Sequence, residues 1–280
     1  MAIDRLKTAL AGAFAGARRA EAPAAGSPEA AATMLPFRCN LCGTTNRVSL
    51  SALERETPSC RGCGSTVRFR SIVHLLTQAL LGHGTVLADM APRQDIVGIG
   101  LSDADAYASA LASKLGYTNT YFHTEPRLDI ANAPADMTGR YDFVIASDVF
   151  EHVVPPVSRA FANARRILKP GGVFVFSVPY GLDGGTVEHF PDLADFRVTE
   201  EKGRWTLHNR TADGREQVYT DLVFHGGPGT TLEMRLFSLP ALQREFAEAG
   251  FASMRVAGEA CLEHGILWSA PWSLPIVARA

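Results

Sequence analysis

The chain has 280 residues, 46% of them hydrophobic and 20% charged, with a formal net charge of −2. That length accommodates one full-sized catalytic domain and a small module but not two large domains. Near-neutrality leaves no bulk electrostatic pull toward nucleic acid or an anionic membrane. No run approaches the roughly 20 consecutive apolar residues of a membrane helix, so a soluble chain without a membrane partner is expected.

Residues 1–34 are rich in Ala and Gly, with Pro23 and Pro28 among scattered charges, and read as a short helix followed by a flexible segment. Residues 8–17 faintly resemble a signal-peptide core, but they are weakly apolar and Asp4 precedes them, which disfavours secretion. Residues 35–66 hold two Cys-x-x-Cys pairs, Cys39/Cys42 and Cys60/Cys63, with 17 residues between the pairs. This spacing is that of a four-thiolate zinc site, and Gly43 and Gly64 follow each pair where a tight turn is needed. Four protein ligands leave the ion no open position, so its role is structural. Paired thiolates also suit a reducing compartment, and a cytoplasmic protein is expected. A thioredoxin-like role is disfavoured, because neither pair lies between the strand and helix of a βαβ unit.

Six arginines, Arg38, Arg47, Arg55, Arg61, Arg68 and Arg70, surround the cysteines against only Glu54 and Glu56. Four thiolates and one divalent ion cancel half of that excess. A nucleic-acid platform stays open but is not demanded. The alternative is that the arginines balance the thiolates and grip the larger domain.

A connecting region, 67–95, follows. Phe69, Ile72, Val73, Leu76 and Leu80 form one stripe of a helix over residues 66–81, which Gly82 and Gly84 end. Residues 85–95 read as a connection. From residue 96 to 280 the pattern is that of an alternating α/β domain. Residues 96–100 are a short glycine-bearing strand, and Ser102 or Asp103 can cap a helix through Tyr107, Leu111 and Leu115 to Gly116. Residues 118–123 are β-prone. Leu128, Asp129 and Ile130 follow too closely for a crossover helix, so a shortened third strand, or none, is expected. For the same reason residues 86–89 are rejected as a first strand. Residues 141–146 are a buried strand, Pro155 and Pro156 begin a helix through Phe161, Ala164 and Leu168, and residues 173–178 are another buried strand.

Residues 181–232 break the rhythm with eight glycines, three histidines and Trp205, and read as an insertion or lid. A helix over 239–249 and strands over 251–256 and 274–279 complete the chain. The fold expected is a doubly wound, mostly parallel α/β sheet carrying a small N-terminal zinc-ribbon-like module.

In such sheets ligands bind where strand carboxyl ends meet helix N-termini. Gly98, Gly100, Ser102 and Asp103 lie at one such junction, and Glu125 follows the next strand, where a carboxylate can accept from ribose hydroxyls. Two further runs are more specific: Tyr141-Asp-Phe-Val-Ile-Ala-Ser-Asp148-Val149-Phe-Glu151-His152-Val, and Leu168-Lys-Pro-Gly-Gly-Val-Phe-Val-Phe-Ser-Val178. In these, and again at 237–251, the chain resembles the Rossmann-like S-adenosylmethionine-dependent methyltransferases. With the four cysteines and the run Cys63-Gly-Ser-Thr-Val-Arg-Phe-Arg70, it looks like a bacterial subgroup of them.

The resemblance implies S-adenosylmethionine as cofactor, with Gly98 and Gly100 along its methionine and ribose part, flanked by Ser102 and Asp103. It places Glu125 on the ribose, Asp129 near the adenine amine, and Asp148 and Val149 beside the transferable methyl. Two departures stand out: Ile96 replaces the family's acidic residue in the first strand, and Ser102 its third glycine.

Where the acceptor must lose a proton, His152 is the first candidate base and His225, in a glycine-rich loop, the second. The run Ser147-Asp148-Val149-Phe150 departs from the Asn/Asp-Pro-Pro-Tyr pattern of base-amine methyltransferases, and no Pro-Cys dipeptide is present. A small-molecule acceptor is therefore favoured, a sugar-containing or natural-product intermediate among them. An RNA or protein methyltransferase gripping its substrate with the zinc module is the alternative, and a non-catalytic binding protein the third. The sequence leaves the oligomeric state open.

Overall fold

A computed structural model describes residues 34–225, 229 and 231–280, which belong to one compact unit. The N-terminal expectations, a short helix and a flexible segment, lie outside the described residues except for Met34. That residue opens strand β1 (Met34–Arg38), antiparallel to β2 (Thr45–Ser49). Helix α1 (Val67–Leu81) is capped by the Thr66 hydroxyl, which accepts from the Phe69 amide, and stops at Gly82, whose φ of 83° only glycine adopts readily.

The central sheet is formed by β3 (Arg93–Leu101), β4 (Leu115–Thr120), β5 (Tyr141–Ser147), β6 (Leu168–Ser177), β15 (Ser253–Val256) and β16 (Ile276–Arg279). Between β6 and β15 run short strands: β7 (Tyr180–Gly181), β8 (Val187–Glu188), β9 (Asp195–Glu201), β10 (Arg204–Arg210), β11 (Glu216–Tyr219), β12 (Phe224–His225), β13 (Thr231–Leu232) and β14 (Arg235–Ser238). The helices that pack on the sheet are α1, α2 (Asp105–Ala112), α3 (Ser158–Ile167) and α4 (Leu239–Glu248). Strand order is β15-β16-β6-β5-β3-β4, parallel from β4 to β6 and antiparallel at β16 and β15.

Two-residue alternation divides the buried strands between two layers. Phe143, Ile145, Val173 and Val175 face α1 and α2, while Val144, Ala146, Phe174 and Phe176 face α3 and α4. The doubly wound architecture expected from the sequence is the one observed. Phe37, Cys39, Leu41, Leu53 and Cys60 belong to the first of these cores, so the cysteine segment shares its apolar interior with the sheet.

Several boundaries differ from expectation. No strand forms between β4 and β5 among the described residues. Leu128 and Ile130 are buried there around a 3-10 turn, and Asn163 of α3 donates to the Ile130 carbonyl. Residues 86–89 hold only a 3-10 turn, as the rejection of a first strand there requires. Neither Ser102 nor Asp103 caps α2: the capping position is Ala104, without a side-chain bond, because the Asp103 carboxylate is taken by two tyrosines. Leu115 opens β4 rather than closing a helix, since the chain must turn at Ser113 to pair with β3. Residues 181–232 are not irregular but contain an antiparallel meander, β9-β10-β11, around Phe190 and Leu207. No described helix is long and apolar enough to cross a membrane.

Candidate functional site

Strand order reverses between β3 and β5, and the crevice outside their carboxyl ends is the switch point where doubly wound sheets take ligands. The β3 side is tightly built. Gly98 stands in register between Tyr117 and Phe143, whose rings lie parallel at 6.0 Å, and a Cβ there would fall 2.3 Å from the Phe143 ring. A Cβ on Gly100 would meet the Tyr117 hydroxyl at 2.0 Å and the Asp103 carboxylate at 2.1 Å. These glycines are thus required by packing within the chain. Asp103 is buried and accepts from the hydroxyls of Tyr107 and Tyr117, both at 2.6 Å. Burial pushes its carboxyl up to about 7 against those two bonds. Ser102 is exposed at a φ of 55°.

Beyond β4, Glu125 is exposed and accepts one bond, from the Arg127 amide at 2.9 Å. Phe122, 49% exposed, lies three residues before it. Asp129 is committed locally: its oxygens accept from the Ala131 amide and the Asn132 side chain.

Asp148 directly follows β5, at a φ of 55°, and is gripped from outside the sheet. Arg55, in the loop after β2, donates two bonds to it at 2.7 and 3.0 Å, and Ser177 a third at 3.2 Å. Arg68 of α1 lies 3.4 Å away, bonded to Ser147 and Glu56. Burial alone would raise the Asp148 carboxyl, but the two guanidiniums hold it down at about 2. Val149 is half-buried against the α3 and α4 core.

Next to Asp148 the structure brings His152 and His225 together, with ring centroids 4.6 Å apart and nearly perpendicular. The His152 Nδ1–H donates to the Leu232 carbonyl at 2.9 Å, so its Nε2 is turned toward Glu151, 3.8 Å away. His225 places Nδ1 3.9 Å from the same Glu151 oxygen and Nε2 2.7 Å from Glu233, which His189 also contacts at 2.7 Å.

Glu151 is fully buried and neither of its carboxylate oxygens has a hydrogen-bond partner. Burial, with the charge of Asp148, raises its pKa well above the ordinary value. Burial also lowers that of His152. Glu233 is brought to about 2, burial being outweighed by the bonds from His189 and His225. Arg235, fully buried, donates to the carbonyls of Phe150 and Val153 and fixes the loop that carries Glu151 and His152. Sequence reading found the two histidines but missed Glu151, Glu233 and His189. The Glu-His doublet at 151–152 and the histidine content of the insertion were the only signals.

The four cysteines converge, with Cys39–Cys63 and Cys42–Cys60 sulfurs 3.8 and 3.6 Å apart and all four within 4.8 Å. Four sulfurs about 2.3 Å from one tetrahedral ion stand about 3.8 Å from each other. Of the six neighbouring arginines, four are used internally: Arg38 on Asp89, Arg55 and Arg68 as above, and buried Arg70 on Ser59, Ser65 and Gly265. Arg47 and Arg61 are exposed. The described residues contain two further metal-competent groups: His74, Cys261 and His264, and Glu151, His152 and His225.

A family model described as a methyltransferase domain matches residues 82–255, more than half of the chain. The chain belongs to this family, and the sheet order is in keeping with it. No curated protein matches it.

Among solved structures, an S-adenosylmethionine-bound amino pentose methyltransferase from Micromonospora echinaspora, CalS10, is 16% identical at a TM-score of 0.42, covering 78% of this chain and 93% of that one. Streptomyces venezuelae DesVI is 14% identical at 0.41, with 76% and 90% covered. A Burkholderia thailandensis 1,6-didemethyltoxoflavin-N1-methyltransferase, bound to 1,6-didemethyltoxoflavin and S-adenosylhomocysteine, is 15% identical at 0.40, with 75% and 77% covered. By family, then, the protein is a methyltransferase.

Proposed function

We propose that the chain transfers a methyl group from S-adenosylmethionine to a small molecule held between the loop after β5 and the 181–232 insertion. The observation that supports this most is the convergence of Glu151, His152, His225, Glu233 and His189 beside Asp148 at the switch point.

The residues around the crevice fit the cofactor unevenly. Glu125, exposed and bonded once, has capacity for both ribose hydroxyls, and the Phe122 ring offers a face to a planar base. Asp148 and Val149 would border the methyl. Gly98, Gly100 and Ser102 would flank the methionine and ribose part through backbone only. Asp103 and Asp129 already have partners, so their contribution is to hold the loops. The cofactor supplies a methyl on a sulfonium. An acceptor that attacks as a hydroxyl or an ammonium would have to give up a proton. His152 and His225 are placed to receive it, with Glu233 and His189 orienting the second ring.

The four sulfurs fit one structural zinc ion, in Cys39, Cys42, Cys60 and Cys63, which would tie β1 and the start of α1 together. The segment 35–66 then acts as a zinc module whose loop delivers Arg55 to Asp148. Thiolates of this kind suit a reducing compartment, and a cytoplasmic location follows. The internal use of four arginines supports a small-molecule acceptor over a polyanion. Calorimetric titration with S-adenosylmethionine tests the proposal: one site per chain in the micromolar range is expected, and absence of binding would overturn it.

A further inference from the structure

Glu151 presents a problem of charge. It is completely buried, both oxygens lack a hydrogen-bond partner, and ring nitrogens of His152 and His225 face it at 3.8 and 3.9 Å. Those separations are too long for hydrogen bonds. A buried carboxylate without partners costs several kcal/mol unless something compensates it.

The orientation of the rings supplies the clue. His152 uses Nδ1–H on the Leu232 carbonyl, which can only accept, so in the neutral ring Nε2 toward Glu151 carries a lone pair. The His225 ring has its Nε2 on Glu233, and Glu233 is anchored in turn by His189. Each imidazole is therefore held by an acceptor at one nitrogen while the other faces the carboxylate. This is the outer-shell arrangement that fixes the tautomer of metal-ligating histidines.

We propose that Glu151, His152 and His225 bind a divalent transition-metal ion. Two imidazoles and one carboxylate suit manganese, iron, cobalt or zinc rather than calcium, and leave open positions. Ligands about 2.1 Å from such an ion stand roughly 3.0–3.4 Å from each other, so each imidazole closes on the carboxylate by about half an ångström on binding. The open positions take an oxygen donor of the methyl acceptor, a hydroxyl or an enolate oxygen. Such an ion would lower the pKa of that oxygen and stabilise its deprotonated form, the proton passing to water, whereas the histidines alone would have to accept that proton themselves. This rests on the reading of the same corner as the acceptor site, and changes the histidines from bases to ligands.

The test uses the full chain with zinc already on its cysteines, titrated with Mn(II) and followed by electron paramagnetic resonance. Mn(II) avoids thiolate sites, the four cysteines and the His74, Cys261, His264 group alike. One Mn(II) per chain is expected in the wild type, with affinity at least tenfold weaker in E151Q and in H225A. Absence of saturable Mn(II), or wild-type affinity in a folded E151Q, overturns the proposal. Should E151Q fail to fold, H225A, on a half-exposed strand of the insertion, decides by the same criterion. Calorimetry with S-adenosylmethionine on the same samples reads the parent proposal separately: cofactor binding without manganese binding leaves the methyltransferase reading standing and removes the ion.

Discussion

The four cysteines and the Glu151, His152, His225 group are both sets of metal-competent side chains, and they are built in opposite ways. Each cysteine pair comes from one tight turn, the four sulfurs lie within 4.8 Å of one another, and Ser65 and Thr44 bond to Cys39 and Cys42. The histidine and glutamate group is assembled from the loop after β5 and from the insertion, across 80 positions of sequence between His152 and Leu232. Its central carboxylate is left without hydrogen-bond partners. A saturated cluster has nothing left to offer a ligand and stabilises the fold. A cluster with unspent bonding capacity, fixed from behind by Arg235 and Glu233, is where chemistry is expected.

The comparison is broken most severely at the cysteines. Structural zinc contributes about 10–16 kcal/mol of apparent binding energy in small zinc domains, as much as a whole domain's stability of about 5–15 kcal/mol. Cys39→Ser and Cys60→Ser are each expected to lose the ion and to unfold the segment around β1 and β2. Elemental analysis and a calorimetric melt check this, and full thermal stability in zinc-free protein would refute it.

Next in size is the seam between the two regions. Asp148→Ala leaves Arg55 and Arg68 with Glu56 as their one shared counter-charge, which is expected to cost about 1.5–3 kcal/mol in a denaturant titration. The pH dependence has a definite sign. The Asp148 carboxyl is held at about 2, below its ordinary 3.8, so its contribution is complete above pH 4 and fades as pH falls from 4 toward 2. The wild type should therefore lose more stability than the variant over that window.

At the other cluster the expected effect is on rate rather than folding. His225→Ala should lower kcat by about 10²-fold or more, whether the ring takes a proton or ligates an ion, with cofactor affinity within twofold of wild type. A melting temperature that falls along with kcat would mean that the histidine is architectural.

The sheet was legible because its signals are local. Residues 143–146 and 173–176 are continuous apolar runs, and the Lys-Pro-Gly-Gly before the second marks where α3 must stop. The cysteine cluster was legible for the same reason, two turns written in four residues each. What stayed hidden depends on partners distant in sequence. The Asp103 side chain was read as a cap or a cofactor contact, yet Tyr117, on the adjacent strand, claims one of its oxygens. Arg55 carries no local sign that it will meet Asp148, 93 residues away. His189 and Glu233 are joined only once the insertion folds back as short antiparallel strands.

The finest contrast is between two carboxylates on the loop after β4. Glu125 is exposed and accepts a single backbone bond, whereas Asp129 has both oxygens bonded within its own turn. A charge-assisted hydrogen bond is worth about 1.5–3 kcal/mol, so removing the ribose partner in Glu125→Ala should weaken S-adenosylmethionine binding by at least about tenfold. Asp129→Ala removes a cap instead, and should cost about 1 kcal/mol of stability with the cofactor dissociation constant within about threefold of wild type. Calorimetry and a thermal melt on the two variants separate these roles. If Asp129→Ala weakened cofactor binding as strongly as Glu125→Ala without lowering the melt, its carboxylate would have to leave the turn for the adenine, and the loop would need a second arrangement.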